Sequence, residues 1–395
     1  MSVSLVILMT FIAGVILSAT LGLDQAQHIS IASRLIIFNA LLAGVLYIWH
    51  QRKAQYPPQL EALPEHVRLK TLSLRLGLLA LLLYSALLGQ LQRDWPASVF
   101  TFEYLVLLPV LLLLAPYYVY QSEQRTPSGE DGYYRFGQFL YRQRRWRWTE
   151  QRDWLLMWAV KIIFIPLMYS WLVTAVTNLL HINWSLNPGL LVTGLFMFGL
   201  SVDLLVATGG YLFACRLLGN EVRSTDRHWL GWLSCLICYP PLVFILHTVK
   251  EQTDDMDWDN WLLPSEPLYW LWAAAISLTW LIYWISTLHF GLRFSNLSWR
   301  GLINTGPYRY SKHPAYLAKN IYWWLHTAPF IGAATQLDLL RNLLGLTFVS
   351  LVYFLRAKTE ERHLMAFAEY RAYSRHISQN GLLARLRLPW HRASA

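Results

Sequence analysis

The side chains best suited to chemistry lie in a polar stretch, residues 305–320, between two long apolar runs. It begins with a Gly-Pro turn signal, and Pro314 suits the first position of a helix, where no backbone N–H is needed. We therefore predict a short loop with Tyr308, Arg309 and His313 that runs into an apolar helix. Free N–H groups at such a helix start attract carboxylate or phosphate, so this loop could bind a small charged ligand.

Paired acids follow the last apolar run. If that helix continues, Arg356 and Glu360 lie on one face, and Glu361 is the next residue in the sequence. Tyr370 and Tyr373 then share another face further along the helix. A short hairpin joins the last two apolar runs, so we expect these acids to face the polar loop and to suit a ligand with positive and negative ends. Two alternatives stay open, namely a loop that anchors to lipid headgroups and a solvated helix with routine ion pairs.

The composition is that of a polytopic membrane protein. Hydrophobic residues make up 55% of the 395 residues and charged residues 14%, whereas soluble proteins carry about 25% charged residues. The 20 Trp and 22 Tyr suit membrane interfaces. The net charge is +10, and the cationic residues lie mostly in alternate loops. We interpret them as signals of membrane topology and expect no nucleic-acid partner. The three cysteines indicate neither a disulfide framework nor zinc, and no His/Glu spacing predicts a metal site.

We predict an all-α polytopic bundle with about ten membrane spans. The predicted spans are residues 4–23, 31–50, 72–91, 99–120, 155–180, 189–217, 230–249, 268–292, 314–333 and 337–355. The seventh contains Pro240-Pro241, which predicts a kink. Lys and Arg favour the cytoplasmic side, so five basic segments, the polar loop and both termini are predicted there. In a bacterium, this would be an integral, multi-pass protein of the cytoplasmic membrane.

Two regions differ in their polarity. Residues 1–150 form a Leu-rich N-terminal transmembrane region of about four spans with a basic loop, and residues 151–395 a C-terminal region with more polar spans. Within the basic loop at 121–153, arginines interleaved with tryptophans predict an interfacial helix on anionic lipid. The C-terminal region contains the polar loop and the paired acids, so the candidate catalytic core is placed there, at about 268–388.

Two motifs, in this order, resemble the integral-membrane methyltransferases: Gly306-Pro307-Tyr308-Arg309-x-x-Lys312-His313-Pro314-x-Tyr316, and Glu360-Glu361-x-x-Leu364 with Tyr370-x-x-Tyr373. That superfamily includes isoprenylcysteine carboxyl methyltransferase and phospholipid N-methyltransferases. The resemblance implies an enzyme that binds S-adenosylmethionine at the cytoplasmic face. It also implies methyl transfer to a lipid-like or lipidated substrate that enters from the bilayer.

The resemblance also implies roles for individual residues. The implied cofactor-binding residues are Tyr308, Arg309, His313, Pro314, Tyr316, Leu317, Glu360, Glu361 and Tyr370, and the implied catalytic residues are Arg309, His313 and Glu361. The methionyl carboxylate suits Arg309, and the ammonium and ribose hydroxyls suit a glutamate. Aromatic faces favour the sulfonium. A carboxylate or thiolate acceptor needs no base, whereas an amine acceptor must lose a proton to Glu361 or His313, and both alternatives stay open.

The sequence departs from the superfamily pattern in several places. Lys312 stands where Arg is usual, so the charge is kept but the bidentate hydrogen bonding of a guanidinium is lost. Ala318 stands where Gly is common. Lys319 and Asn320 lie inside the ninth predicted span and are candidate substrate-binding residues, although Lys319 could instead snorkel to the interface. Asp203, in the sixth predicted span, is expected to pack against a partner.

Two other function classes stay open. One is an NADPH-dependent reductase of the sterol or steroid type, which has a similar His-Pro-x-Tyr loop but lacks typical paired acids. The other is a transporter or membrane scaffold without catalysis. The sequence names neither the methyl acceptor nor the oligomeric state.

Overall fold

A computed structural model describes residues 2–23, 28–51, 63–91, 97–182, 188–251 and 257–387. Across these residues the protein is helical apart from one pair of two-residue strands, which confirms the all-α prediction. The helices are α1 Val3–Thr20, α2 Ile29–Gln51, α3 Leu63–Leu91, α4 Ala97–Arg125, α5 Gly132–Leu140, α6 Trp148–His181, α7 Pro188–Leu212, α8 Trp229–Leu236, α9 Val243–Lys250, α10 Trp258–Trp261, α11 Pro267–Phe290, α12 Pro314–Thr327, α13 Gln336–Leu364, α14 Ala368–Asn380 and α15 Leu382–Arg387. Strand β1 (Ser224–Thr225) pairs antiparallel with β2 (Ser298–Trp299).

Eight helices in the described ranges are long and apolar enough to cross a membrane. They are α1, α2, α3, α4, α6, α7, α11 and α13. Each coincides with one of the ten predicted spans, so the prediction of a polytopic helical bundle is confirmed. The exact number of crossings and the side on which the termini lie stay predictions. Part of the orientation argument rests on Arg52, Lys53, Asp254 and Asp255, which lie outside the described residues.

The other two predicted spans are not single long helices. At 230–249 the chain forms α8 and α9, and Pro240-Pro241 lies between them. The predicted kink is therefore a break, because two consecutive prolines offer no N–H groups and clash with the preceding turn. At 314–333, α12 has only 14 residues, and a left-handed Ala328 follows it. Such a helix is about 21 Å long, shorter than the roughly 30 Å hydrocarbon core.

Two local predictions have different outcomes. The Arg- and Trp-rich segment is exposed, but its residues 141–147 form a turn and extended chain before α6, so the predicted interfacial helix is wrong there. Its contact with anionic lipid stays a prediction. By contrast, α13 continues past residue 355 to Leu364, as expected, and the tyrosines at 370 and 373 lie on the separate helix α14.

The chain forms two compact units. The first contains Met1–His181, Leu204–Thr225 and Gly291–Arg300. In it, α1 packs on α2, α3 packs on α4 and α5, and α6 contacts all of α2 to α5. Stacking of Phe136 on Trp154, with ring centroids 3.7 Å apart, joins α5 to α6. The composition-based division of the chain near residue 150 stays a prediction.

An ionic group centred on the buried pair Lys70 and Glu123, here named the Glu123 cluster, joins three parts of the first unit. It contains Lys70, Glu123, Ser128, Asp131 and Arg216. The Lys70 Nζ donates to Glu123 Oε1 at 2.9 Å, Ser128 Oγ at 2.6 Å and the Gly129 carbonyl at 2.8 Å. Asp131 pairs with Arg216 at 3.5 Å and caps the start of α5 by accepting from the Tyr134 N–H. The cluster therefore fixes the connection between α4 and α5 against the start of α3.

The second unit contains Ile182–Asp203, Asp226–Phe290 and Gly301–Ala395. Here α11 packs on α12, and α13 packs on α8, α9 and α12. Buried aromatic and aliphatic side chains of α10 and α11, including Trp258, Tyr269 and Trp280, form one part of its core. A short connection joins α12 to α13, so the two helices run antiparallel, with the start of α12 beside the end of α13.

Candidate active site

The loop before α12 is held in place by both its backbone and its side chains. Residues Gly306–Arg309 form a 3₁₀ turn in which Gly306 has φ +58° and a Cβ would overlap the imidazole of His289. Only glycine fits there without strain. The Tyr308 ring is buried, edge-on to Phe290 at 5.2 Å, and the Tyr308 carbonyl accepts from the Tyr373 hydroxyl at 2.7 Å. The loop is thus attached to α11 on one side and α14 on the other.

The two motifs meet where α12 begins and α13 ends. Pro314 is the first residue of α12, as predicted, and His313 lies immediately before it. His313 Nε2 is 3.1 Å from Glu361 Oε1, and the Tyr316 hydroxyl donates to Glu360 Oε2 at 2.9 Å. The His313 and Tyr316 rings stack, with centroids 5.6 Å apart. The expected proximity of the polar loop and the paired acids is therefore found.

Glu361 is surrounded by His313 and two lysines, and we call this set the Glu361 cluster. Besides His313, Lys312 Nζ lies 3.4 Å from Oε1, and Lys358 Nζ lies 3.3 Å from Oε2. Lys312 also donates to the Ser374 hydroxyl of α14 at 3.2 Å. These ion pairs stabilise the ionised carboxylate, so Glu361 is a weak proton acceptor that is well suited to hold His313 and Lys312 in position.

Glu360 has a different environment. Among the described residues it accepts one hydrogen bond, from a neutral tyrosine, so its carboxylate retains lone pairs for a further donor. Arg356 lies one turn earlier on α13, with its guanidinium 5.1 Å from the Tyr316 ring and 3.9 Å from the Cys235 sulfur. Tyr316 is therefore held between His313 and Arg356, and its hydroxyl is directed at Glu360.

The remaining residues implied by the resemblance are more scattered. The Arg309 side chain is exposed and makes no hydrogen bond or ion pair with any residue in the described ranges, and Leu317 is also exposed. Tyr370 is buried against Tyr373, with ring centroids 5.7 Å apart. Lys319 and Asn320 lie further along α12, away from the helix start. The structure thus brings His313, Tyr316 and the two acids into direct contact, and leaves the Arg309 side chain available.

The tyrosines around the loop remain neutral hydrogen-bonding groups. Burial raises the pKa of Tyr308 well above its ordinary value, and the charge of Glu360 adds to this effect. Burial also raises the pKa of Tyr373, and burial followed by the charges of Glu360 and Glu361 raises the pKa of Tyr370. All three phenols therefore keep their protons at neutral pH, and the smaller part of the pKa shift of Tyr370 comes from its closeness to the acids.

Sequence reasoning missed several participants. Lys358 could have been found, because it precedes Glu361 by three residues on the same helix face. Ser374 and Cys235 had no such signal, since their contacts with Lys312 and Arg356 join segments that are distant in sequence.

A comparison with protein families supports the same reading. Residues 268–366 match the Isoprenylcysteine carboxyl methyltransferase (ICMT) family. The matched segment covers nearly all of α11 and all of α12 and α13, and thus includes His313, Tyr316, Glu360 and Glu361. Together with the long apolar helices, this match supports an integral membrane methyltransferase. No curated protein and no solved structure matches the chain.

Proposed function

We propose that this protein is an S-adenosylmethionine-dependent methyltransferase that acts on a lipid-like or lipidated substrate from within the membrane, at the cytoplasmic face. One observation carries the proposal: the contacts His313–Glu361 and Tyr316–Glu360 join the two motifs of the resemblance into one site. The family match over 268–366 supports it, because both motifs lie inside the matched segment. The basic loops support the cytoplasmic side.

The residues present fit the polar parts of the cofactor. The exposed Arg309 has no partner among the described residues and can bind a carboxylate, together with the free N–H groups behind Pro314. Glu360 can accept from an ammonium or from ribose hydroxyls. We assign Tyr316 to orient Glu360, because His313 and Arg356 already flank its ring. Tyr308, Leu317 and Tyr370 complete the proposed cofactor-binding set as neighbours of the loop and the acids.

The chain contributes positioning and proton transfer. Bound S-adenosylmethionine would supply the methyl group, whose bond to sulfur breaks as its bond to the acceptor atom forms, leaving a neutral thioether. Holding donor and acceptor in line is the main contribution that a protein makes to such a displacement. Because Glu361 accepts from Nε2 of His313, the Nδ1 atom of neutral His313 is the nitrogen that can take a proton from an amine acceptor. Glu361 then acts as the residue that orients His313.

Calorimetric titration of the full-length protein in lipid nanodiscs tests the proposal. We expect S-adenosylmethionine to bind, and Glu360→Gln to weaken that binding by about tenfold, the loss of one charge-assisted hydrogen bond. Glu266→Gln is the matched control, because Glu266 is exposed and lies outside the site. NADPH is titrated in parallel, since a reductase would bind it instead. Folded wild-type protein that binds no S-adenosylmethionine would contradict the proposal.

The acceptor class can be found with the same preparation. Incubation with membrane lipid extract and S-adenosylmethionine, followed by mass spectrometry, should reveal a lipid heavier by one CH₂ group. A protein that binds the cofactor but modifies no lipid in the extract would contradict the lipid-like substrate.

A further inference from the structure

Lys319 lies in the ninth predicted span and has no conventional partner among the described residues. It follows Tyr316 by three residues on α12, so both side chains lie on the same face of that helix. Its Nζ lies 4.3 Å from the centre of the Tyr283 ring on α11. An ammonium group has three N–H donors, yet no described residue accepts a hydrogen bond from Lys319. A charge inside a membrane span is costly and usually marks a functional site.

The Lys319 ammonium contacts α11 well before the end of that helix. Tyr283 precedes the end of α11 at Phe290 by seven residues, which is about 10 Å of helix. That end of α11 contacts the loop before α12. The Lys319 ammonium therefore lies about two turns away from the surface loop, among the helices.

Asp203 completes the arrangement from a third helix. The Tyr283 hydroxyl donates to Asp203 Oδ2 at 2.7 Å, and Asp203 lies on α7. Asp203 is buried, and its other oxygen, Oδ1, has no hydrogen-bond partner among the described residues. One tyrosine thus contacts an ammonium with unused donors through its ring and a carboxylate with an unused acceptor through its hydroxyl. The three residues, here named the Tyr283 triad, belong to the same compact unit.

The charges of the triad define the ligand that it suits. The ammonium of Lys319 and the carboxylate of Asp203 sum to zero, so a charged ligand would leave one uncompensated charge in a medium of low dielectric. An uncharged group adds no such cost. The group must accept a hydrogen bond from Lys319 and donate one to Asp203 Oδ1, which a hydroxyl or a primary amide does.

We propose that the Tyr283 triad binds an uncharged hydroxyl or primary amide of the methyl acceptor, within the bilayer and apart from the methylated atom. This inference rests on the proposed function, because it assumes that the methyl acceptor passes the triad on its way to the reaction site. The triad lies one helical turn beyond Tyr316. The triad would then select lipids that carry a neutral polar group at a fixed distance from the reacting end.

Chain-matched probes test this preference. Palmityl alcohol, palmitamide, palmitate and palmitylamine have equal chain lengths and differ in charge, and native mass spectrometry from nanodiscs reports their relative binding. We expect wild-type protein to bind the alcohol or the amide about tenfold more tightly than either charged probe, as expected for a buried uncompensated charge. Asp203→Asn leaves a positive site and should shift the preference to palmitate. Lys319→Met leaves a negative site and should shift it to palmitylamine.

Two further variants serve as controls. Lys319→Arg keeps the charge and should keep the wild-type ranking. Lys161→Met removes a lysine from another predicted span, whose Nζ already donates to the Ala214 carbonyl at 3.2 Å, and should leave the ranking unchanged. An identical ranking in wild type, Asp203→Asn and Lys319→Met would overturn the inference. Titration of S-adenosylmethionine in the same samples separates the two proposals, because its failure contradicts the proposed function while the probe ranking still tests the triad.

Discussion

The Glu123 cluster and the Glu361 cluster contain the same kinds of side chain in different surroundings. In each, a carboxylate pairs with a lysine and with further cations. The Lys70 and Glu123 side chains are only 4% and 3% exposed, whereas that of Glu361 is 17% exposed. The lysine and carboxylate at the centre of the first cluster are therefore buried, whereas Glu361 is partly accessible. The difference supports the structural role that we assign to the Glu123 cluster and the functional role that we propose for the Glu361 cluster.

The hydrogen bonds made in and beside the two clusters support the same assignment of roles. Lys70 uses three donors on three acceptors, which is the full capacity of an ammonium group. Beside the Glu361 cluster, Glu360 has a single neutral donor and Arg309 has no partner in the part of the chain that the structure describes. A cluster whose hydrogen-bonding groups all have partners stabilises the fold, whereas groups with unused donors or acceptors can bind a ligand.

Removal of Glu123 should have the largest effect on stability. Glu123→Ala leaves the buried Lys70 without its closest carboxylate, and we expect a loss of about 3–5 kcal/mol in the free energy of unfolding. Denaturant titration in detergent, followed by circular dichroism, measures it. The double variant Lys70→Met/Glu123→Leu removes both charges and should recover most of the loss. A loss below about 1 kcal/mol for the single variant would show that the cluster is not structural.

Substitution of Glu361 should separate function from stability. Glu361→Gln keeps the shape but loosens His313 and Lys312, so we expect methyl transfer to fall about a hundredfold, the lower range for a general acid–base contribution. The partly exposed ion pairs should contribute less than about 1 kcal/mol to folding. Transfer from labelled S-adenosylmethionine and denaturant titration measure the two effects, with Glu266→Gln as control. A large stability loss with normal transfer would reverse the contrast between the clusters.

One glycine beside each cluster gives a matched test of the backbone. Gly129 and Gly306 both have φ +58°, but a Cβ on Gly129 meets nothing within 4 Å, whereas one on Gly306 overlaps His289. Gly129→Ala should therefore cost only about 1 kcal/mol in the free energy of unfolding, the strain of a left-handed residue. Gly306→Ala should cost about 1–3 kcal/mol more, because the loop must shift. Equal losses in thermal unfolding would show that His289 moves aside freely.

The sequence predicted most of the helices and the meeting of the two motifs. The length of the apolar runs located eight long helices, and Pro314 marked the start of α12 correctly because proline has a defined place there. The break at Pro240-Pro241 was mistaken for a kink, since an apolar run does not reveal whether a helix resumes in line. The contact of Lys319 with Tyr283 was not predictable, because it depends on how two helices pack.

An ion pair joins Asp257 to His326, at the far end of α12 from His313. It extends the comparison to an exposed site, and its removal should have the smallest effect on stability. The two side chains approach to 3.1 Å, and Asp257 is 46% exposed. Hydrogen bonding from His326 first, and its charge in addition, hold the pKa of Asp257 below its ordinary value, although partial burial opposes this shift.

Because the folded-state pKa of Asp257 is the lower one, its contribution to stability is present above the unfolded-state pKa near 4 and is lost as the pH falls through the folded-state pKa. Solvent screening keeps this contribution below about 1 kcal/mol. The difference in unfolding midpoint between wild type and Asp257→Asn should therefore be small and constant from about pH 6 to pH 5, and should shrink as the pH falls below about 4. A difference that grows as the pH falls would mean that exposure does not set the strength of these ion pairs, and would remove the basis for ranking the Glu123 and Glu361 clusters by burial.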